Sequence, residues 1–235
     1  MLICKEVIGM QEIRSIALWG DSVMRGVVYD EQRGRYGLLP ENAADRASRT
    51  PGLTLYNRSR MGCTVTKGLS IMKRDIEAGV EPQAALIEFG GNDCDYDWKA
   101  ISADPDGEHL PHTPSERFID GYCTAIRKAR QAGARVAMTS LPPLEQSRYF
   151  SFITKGLSAE NILRWLGDTD HLYRWQEYYN DMVTQLSRAF GCRLVDLRAE
   201  FLKSRVFPSL IGADGIHPTQ AGHDLIHQSV QTALS

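Results

Sequence analysis

Long apolar runs are missing from the sequence. No stretch of the 235 residues is apolar for long enough to cross a bilayer. The N-terminal stretch MLICKEVIGMQEIRS has Lys5 inside its only apolar part, so it lacks the uninterrupted core of a secretory signal. These absences predict a cytoplasmic protein without a membrane partner, although a chain from which a signal had been removed would begin in the same way.

The sequence also lacks an excess of charge of either sign. Lys and Arg number 27 against 29 Asp and Glu, which gives a formal net charge of -2. There is therefore no basic footprint for nucleic acid or for an anionic membrane surface. A small neutral or mixed substrate fits this balance better.

Cysteine is scarce and shows no pairing. Five cysteines, at positions 4, 63, 94, 123 and 192, are odd in number and never form the close pairs of zinc or dithiol sites. We expect reduced, mostly buried thiols and no metal site. Cys63 and Cys94 each follow a candidate site residue, which leaves thiol sensitivity open but makes neither one a nucleophile.

Short apolar runs alternate with amphipathic segments along the chain, which is the pattern of βαβ units. Nearly continuous apolar runs, as expected of parallel strands covered on both faces, occur at 15–19, 53–57, 84–89, 135–140 and 193–197. Helices are predicted at roughly 67–78, 115–131, 172–189 and 219–233. Right-handed crossovers then give an α/β fold, a three-layer α/β/α sandwich around one five-stranded parallel sheet, in a single domain over 1–235.

Two long insertions interrupt this alternation, near 94–113 and 142–171. Loops of such length in a compact domain are usually functional or flexible. The second has enough apolar surface to fold back as a small helical lid, and a packed peripheral helix is the equal alternative. Three aspartates near the first, Asp95, Asp97 and Asp104, are interpreted as a solvated acidic loop in preference to a calcium site.

Polar turns follow the first and third predicted strands. Gly20-Asp21-Ser22 places a hydroxyl at the predicted start of a helix, where free N–H groups and a partial positive charge suit an alkoxide. Gly90-Gly91-Asn92-Asp93 offers close backbone approach and an amide donor. Both turns fall where open α/β sheets bind ligands. Taken singly, the first is more often an ordinary corner with Ser22 as the helix cap, and the second is a common turn.

A carboxylate and an imidazole stand three positions apart in Asp214-Gly215-Ile216-His217-Pro218. Residues at that spacing in a turn or helical start can face the same way. Asp214 would then fix the tautomer of His217, whose other nitrogen takes the proton of Ser22. The plain alternative is a capping Asp214 beside a surface histidine. The remaining histidines lack such a setting and are interpreted as solvated or helix-face residues: His109, His112, His171, His223 and His227.

In this order, the Ser22 turn, Gly62, the Asn92 turn and the Asp214–His217 segment resemble the four blocks of the SGNH (GDSL) hydrolase family. The resemblance spans most of the chain and implies a flavodoxin-like sheet. It implies Ser22 as nucleophile, His217 as base and Asp214 as its partner. It also implies an oxyanion hole formed by the backbone N–H groups of Ser22 and Gly62 and by the side chain of Asn92.

The resemblance implies an ester hydrolase that works by acyl transfer through an acyl-enzyme, with no metal or cofactor. A lysophospholipase or thioesterase of the same family is the nearest alternative. A two-metal phosphoesterase lacks an Asp-x-His pair on the first strand and later histidines to complete two metal sites. A non-catalytic binding domain on the same scaffold is the third alternative.

The expected partner is a small-molecule ester with a short acyl group, such as an acetyl ester of a sugar. Aromatic residues of the insertions are candidates to rim the crevice, where they would stack on a sugar or cover an acyl chain: Tyr96, Trp98, Tyr149 and Trp165. The sequence leaves open whether the chain forms a homo-oligomer.

Overall fold

The computed structural model describes residues 13–234. Residues 1–12, which include Cys4 and most of the stretch behind the signal prediction, lie outside the described residues. The strands are β1 (Ser15–Gly20), β2 (Val27–Asp30), β3 (Arg35–Leu38), β4 (Thr54–Asn57), β5 (Ala84–Glu88), β6 (Arg135–Thr139) and β7 (Arg193–Val195). The helices are α1 (Ser22–Arg25), α2 (Ala43–Ser48), α3 (Val65–Glu77), α4 (Trp98–Ala103), α5 (Ser115–Gln131), α6 (Gln146–Ile153), α7 (Ala159–Leu166), α8 (Asp170–Ala189), α9 (Leu197–Lys203), α10 (Phe207–Leu210) and α11 (Gln220–Leu234).

Five strands form one parallel sheet in the order β4-β1-β5-β6-β7. The predicted α/β sandwich with a five-stranded parallel sheet is confirmed. Each predicted strand and helix begins and ends within two residues of the observed one. The carboxyl ends of β1 and β5 lie side by side, so the turns that follow them meet at one edge of the sheet.

The core has two layers because successive residues of a strand point to opposite faces. Leu18, Leu86 and Ala137 are neighbours across three strands and face the layer that contains α2, α9 and α11. The next residue of each strand faces α3, α5 and α8, where Tyr122 and Tyr179 are fully buried. Burial on both faces explains why these strands are apolar without alternation.

The two insertions fold against each other and form a third apolar cluster. The first contributes α4, and the second contributes α6 and α7. Ile101 of α4 and Ile162 of α7 are completely buried in this cluster, beside Leu144 and Leu172. The second insertion is therefore a packed helical layer, which favours the peripheral-helix alternative.

A hairpin of β2 and β3 lies outside the predicted elements. It follows α1 directly and forms a separate two-stranded antiparallel sheet. Among residues 13–234, no helix is long and apolar enough to cross a membrane.

Candidate active site

A hydroxyl, an imidazole and a carboxylate meet at the carboxyl edge of the sheet. Nε2 of His217 lies 2.8 Å from Oγ of Ser22. Nδ1 of His217 lies 2.6 Å from Oδ2 of Asp214. All three side chains are buried. Residues predicted from two distant motifs thus form one continuous hydrogen-bonded set.

The turn after β1 frees the hydroxyl of Ser22 for this contact. The cap of α1 is Asp21, whose Oδ1 accepts a hydrogen bond from the backbone N–H of Val23 at 2.8 Å. The alternative in which Ser22 itself caps the helix is therefore wrong. A Cβ at Gly20 would lie 2.8 Å from Oε2 of Glu88, so glycine lets β1 and β5 end this close together.

The loop before α11 orients the His217 imidazole through Asp214. Oδ1 of Asp214 accepts hydrogen bonds from the backbone N–H groups of Ile216 and His217, at 3.2 and 3.1 Å. Burial alone would raise the pKa of Asp214, but these bonds and the His217 imidazole outweigh burial and lower it. An ionised Asp214 keeps the proton of the ring on Nδ1, which leaves Nε2 to accept from Ser22.

The three predicted oxyanion donors line one cavity. Ser22, Gly62 and Asn92 all contribute to its wall. Nδ2 of Asn92 donates to Oδ2 of Asp21 at 3.0 Å, so the amide is held by the residue that precedes Ser22. Gly62 has a φ of 67°, a left-handed conformation that favours glycine.

This cavity has a volume of about 220 Å³ and extends from Ser22 between the two insertions. Tyr96, Trp98 and Tyr149 line it, as predicted for three of the four aromatic candidates. Trp165 is not among the lining residues. Its ring packs edge-on against Tyr96, with ring centroids 4.8 Å apart, and so supports the wall from behind.

Four residues of α8 line the cavity and were missed by the sequence interpretation, among them Trp175 and His171. Trp175 lines the cavity, and its Nε1 donates to the backbone carbonyl of Cys94 at 2.8 Å. His171 lines the cavity too and stacks on Trp175, so of the two interpretations offered for it, solvated or helix-face, the structure favours a helix-face residue. Their placement depends on the packing of α8 across the first insertion, which a single sequence does not show.

The interpretation of Asp95 as a solvated residue is also wrong. Asp95 is among the residues that line the cavity, and its Oδ1 accepts from the Tyr149 hydroxyl at 2.6 Å and from Nε1 of Trp98 at 2.8 Å. Burial raises the pKa of Asp95 against the effect of these bonds. Asp97 instead caps α4, and Asp104 ends it. Among residues 13–234, no three His, Cys, Asp or Glu are grouped to hold a metal ion.

The β2–β3 hairpin brings an unforeseen aromatic residue to the site. The ring of Tyr36 packs edge-on against that of His217, with centroids 5.1 Å apart. Tyr29 and Phe152 pack beside it, which joins the hairpin to α6. Burial and the nearby Asp214 carboxylate raise the pKa of Tyr36. The signal that would have found the hairpin is the pair of short β-prone runs around the turn at 31–34.

A second buried histidine lies near His217. His223 on α11 is almost completely buried, so it is not solvated. Burial, and the proximity of His217, lower its pKa to about 4. Neither ring nitrogen has a hydrogen-bond partner among the described residues. At neutral pH it is a neutral side chain in the core.

The cysteines near the site are free thiols. Cys63 and Cys94 are buried, and Cys123 and Cys192 are partly buried. Burial raises the pKa of Cys63 to about 11, which keeps the thiol protonated and unreactive at neutral pH.

Comparison with known proteins places the chain among ester hydrolases. A model of the GDSL-like lipase/acylhydrolase family matches residues 18–225. No curated protein matches the chain.

Three solved structures illustrate the likeness in fold. A lipase/acylhydrolase from Enterococcus faecalis is 18% identical, with a TM-score of 0.62 and 93% of each chain covered. An α/β hydrolase from the metagenome of Lake Arreo is 20% identical, with a TM-score of 0.66 and 94% of each chain covered. A catalytic mutant of an acetylxylan esterase from Geobacillus stearothermophilus is 16% identical, with a TM-score of 0.67 and 95% of each chain covered.

Proposed function

This chain belongs to the GDSL-like lipase/acylhydrolase family, and we propose that it is a serine esterase that cleaves carboxylic esters through an acyl-enzyme. The observation that carries the proposal is the unbroken relay from Ser22 Oγ through His217 to Asp214, with contacts of 2.8 and 2.6 Å. A nucleophile, a base and a residue that orients the base are what this chemistry requires.

The proposed reaction begins with attack of Ser22 Oγ on the ester carbonyl carbon, while Nε2 of His217 takes the hydroxyl proton. The tetrahedral intermediate collapses as His217 gives that proton to the leaving alcohol. Water, deprotonated by His217, then attacks the acyl-enzyme and releases the carboxylic acid and free Ser22. Asp214 remains ionised and stabilises the imidazolium in both steps.

The proposed oxyanion donors are the backbone N–H groups of Ser22 and Gly62 and Nδ2 of Asn92. Ser22 is the first residue of α1, where backbone N–H groups lack partners within the helix. The amide nitrogen of Asn92 carries two protons, of which one is bound to Asp21. The other is left for the negative oxygen of the intermediate.

For the substrate we propose a short acyl ester, such as an acetyl ester of a sugar. A cavity of about 220 Å³ is small for a long acyl chain together with part of the alcohol. The Asp95 carboxylate on its aromatic wall favours hydroxyl groups over hydrocarbon, because a polar group covered by an alkyl chain loses its hydration. The structurally similar acetylxylan esterase supports this proposal. Lysophospholipase or thioesterase activity is the alternative outcome of the tests below.

The test is covalent labelling by a fluorophosphonate together with hydrolysis of nitrophenyl acetate. We expect the wild type to be labelled on Ser22, and Ser22→Ala to lose both the label and roughly 10⁴-fold or more of kcat. Ser151→Ala, at an exposed serine of α6, is the matched control and should behave as the wild type. Labelling of Ser22→Ala at wild-type stoichiometry would overturn the proposal.

A further inference from the structure

Three carboxyl groups that the proposed reaction does not use are buried near the proposed active site. Asp21 is 2% exposed, Glu88 1% and Asp93 0%. Asp93 accepts two hydrogen bonds from the backbone N–H of Val65 and so anchors the start of α3. Asp21 and Glu88 instead face each other across the ends of β1 and β5.

The contacts between this pair are direct. Oε2 of Glu88 accepts a hydrogen bond from the backbone N–H of Asp21 at 3.0 Å, which brings the two buried residues close together. A hydrogen bond between two carboxyl groups requires a proton on one of them. A side chain at position 20 would displace this contact, since its Cβ would lie 2.8 Å from the same Glu88 oxygen.

The remaining contacts decide which of the two carries the proton. Asp21 accepts from the N–H of Val23 at 2.8 Å and from Nδ2 of Asn92 at 3.0 Å. Each of these favours the ionised form of Asp21. For Glu88, the one hydrogen-bond donor among residues 13–234 is the backbone N–H of Asp21.

The surroundings of Glu88 favour its neutral form. The titratable groups that face it are Asp21 and Asp93 at the strand ends, Tyr122 of α5 and Cys63 of the loop after β4. Burial raises the pKa of both members of the pair, and it raises that of Glu88 further because the charge of Asp21 adds to the effect. Two carboxyl groups close together away from water ionise one after the other, because the charge of the first raises the pKa of the second.

We propose that Glu88 is a positioning residue for the oxyanion hole. Its neutral carboxyl group donates to Asp21, and Asp21 holds the amide of Asn92 so that one N–H stays directed at the reacting oxygen. The inference rests on the proposed function, because it assigns Glu88 a task only if Asn92 stabilises the oxyanion.

The arrangement has a consequence for pH dependence. As the pH rises through the raised pKa of Glu88, a second buried charge forms beside Asp21 and the hydrogen bond between them is lost. The contribution of Asn92 to kcat should decline over the same range. Glu88→Gln keeps the shape and the donor but cannot ionise, so this decline should be absent.

The experiment is a double-mutant cycle with a pH profile, using nitrophenyl acetate. We expect Glu88→Ala to lower kcat roughly tenfold to a hundredfold with KM within about twofold, and Asn92→Ala to lower kcat roughly 10² to 10³-fold. Adding Glu88→Ala to Asn92→Ala should cost less than about twofold, because the group that Glu88 positions is already gone. Glu88→Gln should match the wild type at neutral pH and keep its kcat at alkaline pH, where that of the wild type falls.

The control is Glu77→Gln, a change at an exposed glutamate of α3, which should leave the pH profile unchanged. Glu88→Gln keeps the test decisive if Glu88→Ala does not fold. Additive losses in the double variant, or an alkaline decline shared by Glu88→Gln and the wild type, would overturn the inference alone. Wild-type kcat in Asn92→Ala would overturn the oxyanion role in the proposed function and this inference with it.

Discussion

Two aspartates stand on either side of the proposed nucleophile, and their partners give them different tasks. Asp214 contacts an imidazole and two backbone N–H groups, which lower its pKa and keep it ionised. Asp21 contacts a second carboxyl group, and burial raises its pKa. In the proposed mechanism, Asp214 therefore orients the base, and Asp21 organises the turn that carries Ser22 and the amide of Asn92.

Asp214→Asn tests whether Asp214 orients His217, because it replaces one carboxylate oxygen by an NH₂ group. The asparagine side chain is as large as aspartate and still accepts from the two backbone N–H groups, so the loop should keep its shape. Its amide can donate to Nδ1 of His217, which moves the ring proton to Nε2 and removes the acceptor for Ser22. We expect kcat for nitrophenyl acetate to fall roughly 10⁴-fold with little change in melting temperature. A kcat within tenfold of the wild type would exclude Asp214 from the relay.

At the scale of secondary-structure elements, the second insertion and the loop that carries His217 form one unit. The backbone N–H of Glu145 donates to the carbonyl of Gly215 at 2.8 Å. Nη1 of Arg148 donates to the carbonyls of Pro208 and Ile211, at 2.7 and 2.8 Å. Helix α6, whose Tyr149 forms part of the cavity wall, is thereby tied to the segment before α11. We therefore expect the cavity wall formed by α6 and the loop that carries His217 to move together.

Gly215→Ala tests this connection. Gly215 has a φ of 79°, and a Cβ there would lie 2.4 Å from the backbone nitrogen of Tyr149 and 2.6 Å from the carbonyl oxygen of Glu145. Because both neighbours are backbone atoms, α6 or the His217 loop must shift. We expect a loss of stability of about 2 to 4 kcal/mol and at least a tenfold lower kcat/KM.

The matched control is Gly156→Ala. Gly156 has a similar φ of 73°, but a Cβ there meets nothing within 4 Å. It should therefore reproduce the cost of the left-handed backbone alone, about 1 kcal/mol, without a change in kcat/KM. Equal effects of the two substitutions on activity would show that α6 and the loop are not coupled.

The same elements explain what the sequence could and could not predict. The strands were predictable because their burial on both faces leaves continuous apolar runs. The meeting of Ser22, His217 and Asp214 was predictable because their motifs directly follow a strand or precede a helix. The setting of Asp95 was not predictable, because its carboxylate is bound by the hydroxyl of Tyr149, 54 positions away in the sequence. The hairpin of β2 and β3 was not predicted, because both strands are short and β3 is mostly exposed.

At the scale of the whole molecule, the parallel sheet gathers the chemistry at one edge. The turns after β1 and β5 and the loop before α11 converge there, and the insertions after β5 and β6 add the walls. The sheet thus determines the position of the proposed active site, while the insertions form the walls of the cavity beside it. The single domain over 1–235, the cytoplasmic location and any homo-oligomer stay predictions.

Because the insertions form the walls of the cavity, the structure leads to a prediction about the acyl length of the substrate. With nitrophenyl esters from acetyl to decanoyl, we expect kcat/KM to be highest for the short chains and to fall roughly tenfold or more by octanoyl, since the cavity measures about 220 Å³. Acetylated sugars should be cleaved as well. A sharp preference for decanoyl esters would instead support the lysophospholipase or thioesterase alternative.

Leu166→Ala shows whether the wall sets that limit. Leu166, at the end of α7, is buried and lines the cavity, so its truncation enlarges the cavity without touching the relay. We expect the octanoyl-to-acetyl ratio of kcat/KM to rise severalfold, at a stability cost of about 2 to 4 kcal/mol. Leu163→Ala, on the exposed face of the same helix, removes the same atoms outside the cavity and should leave the ratio unchanged. If both variants keep the wild-type ratio, the length limit lies elsewhere than in the packed insertions, because the acyl group then does not reach α7.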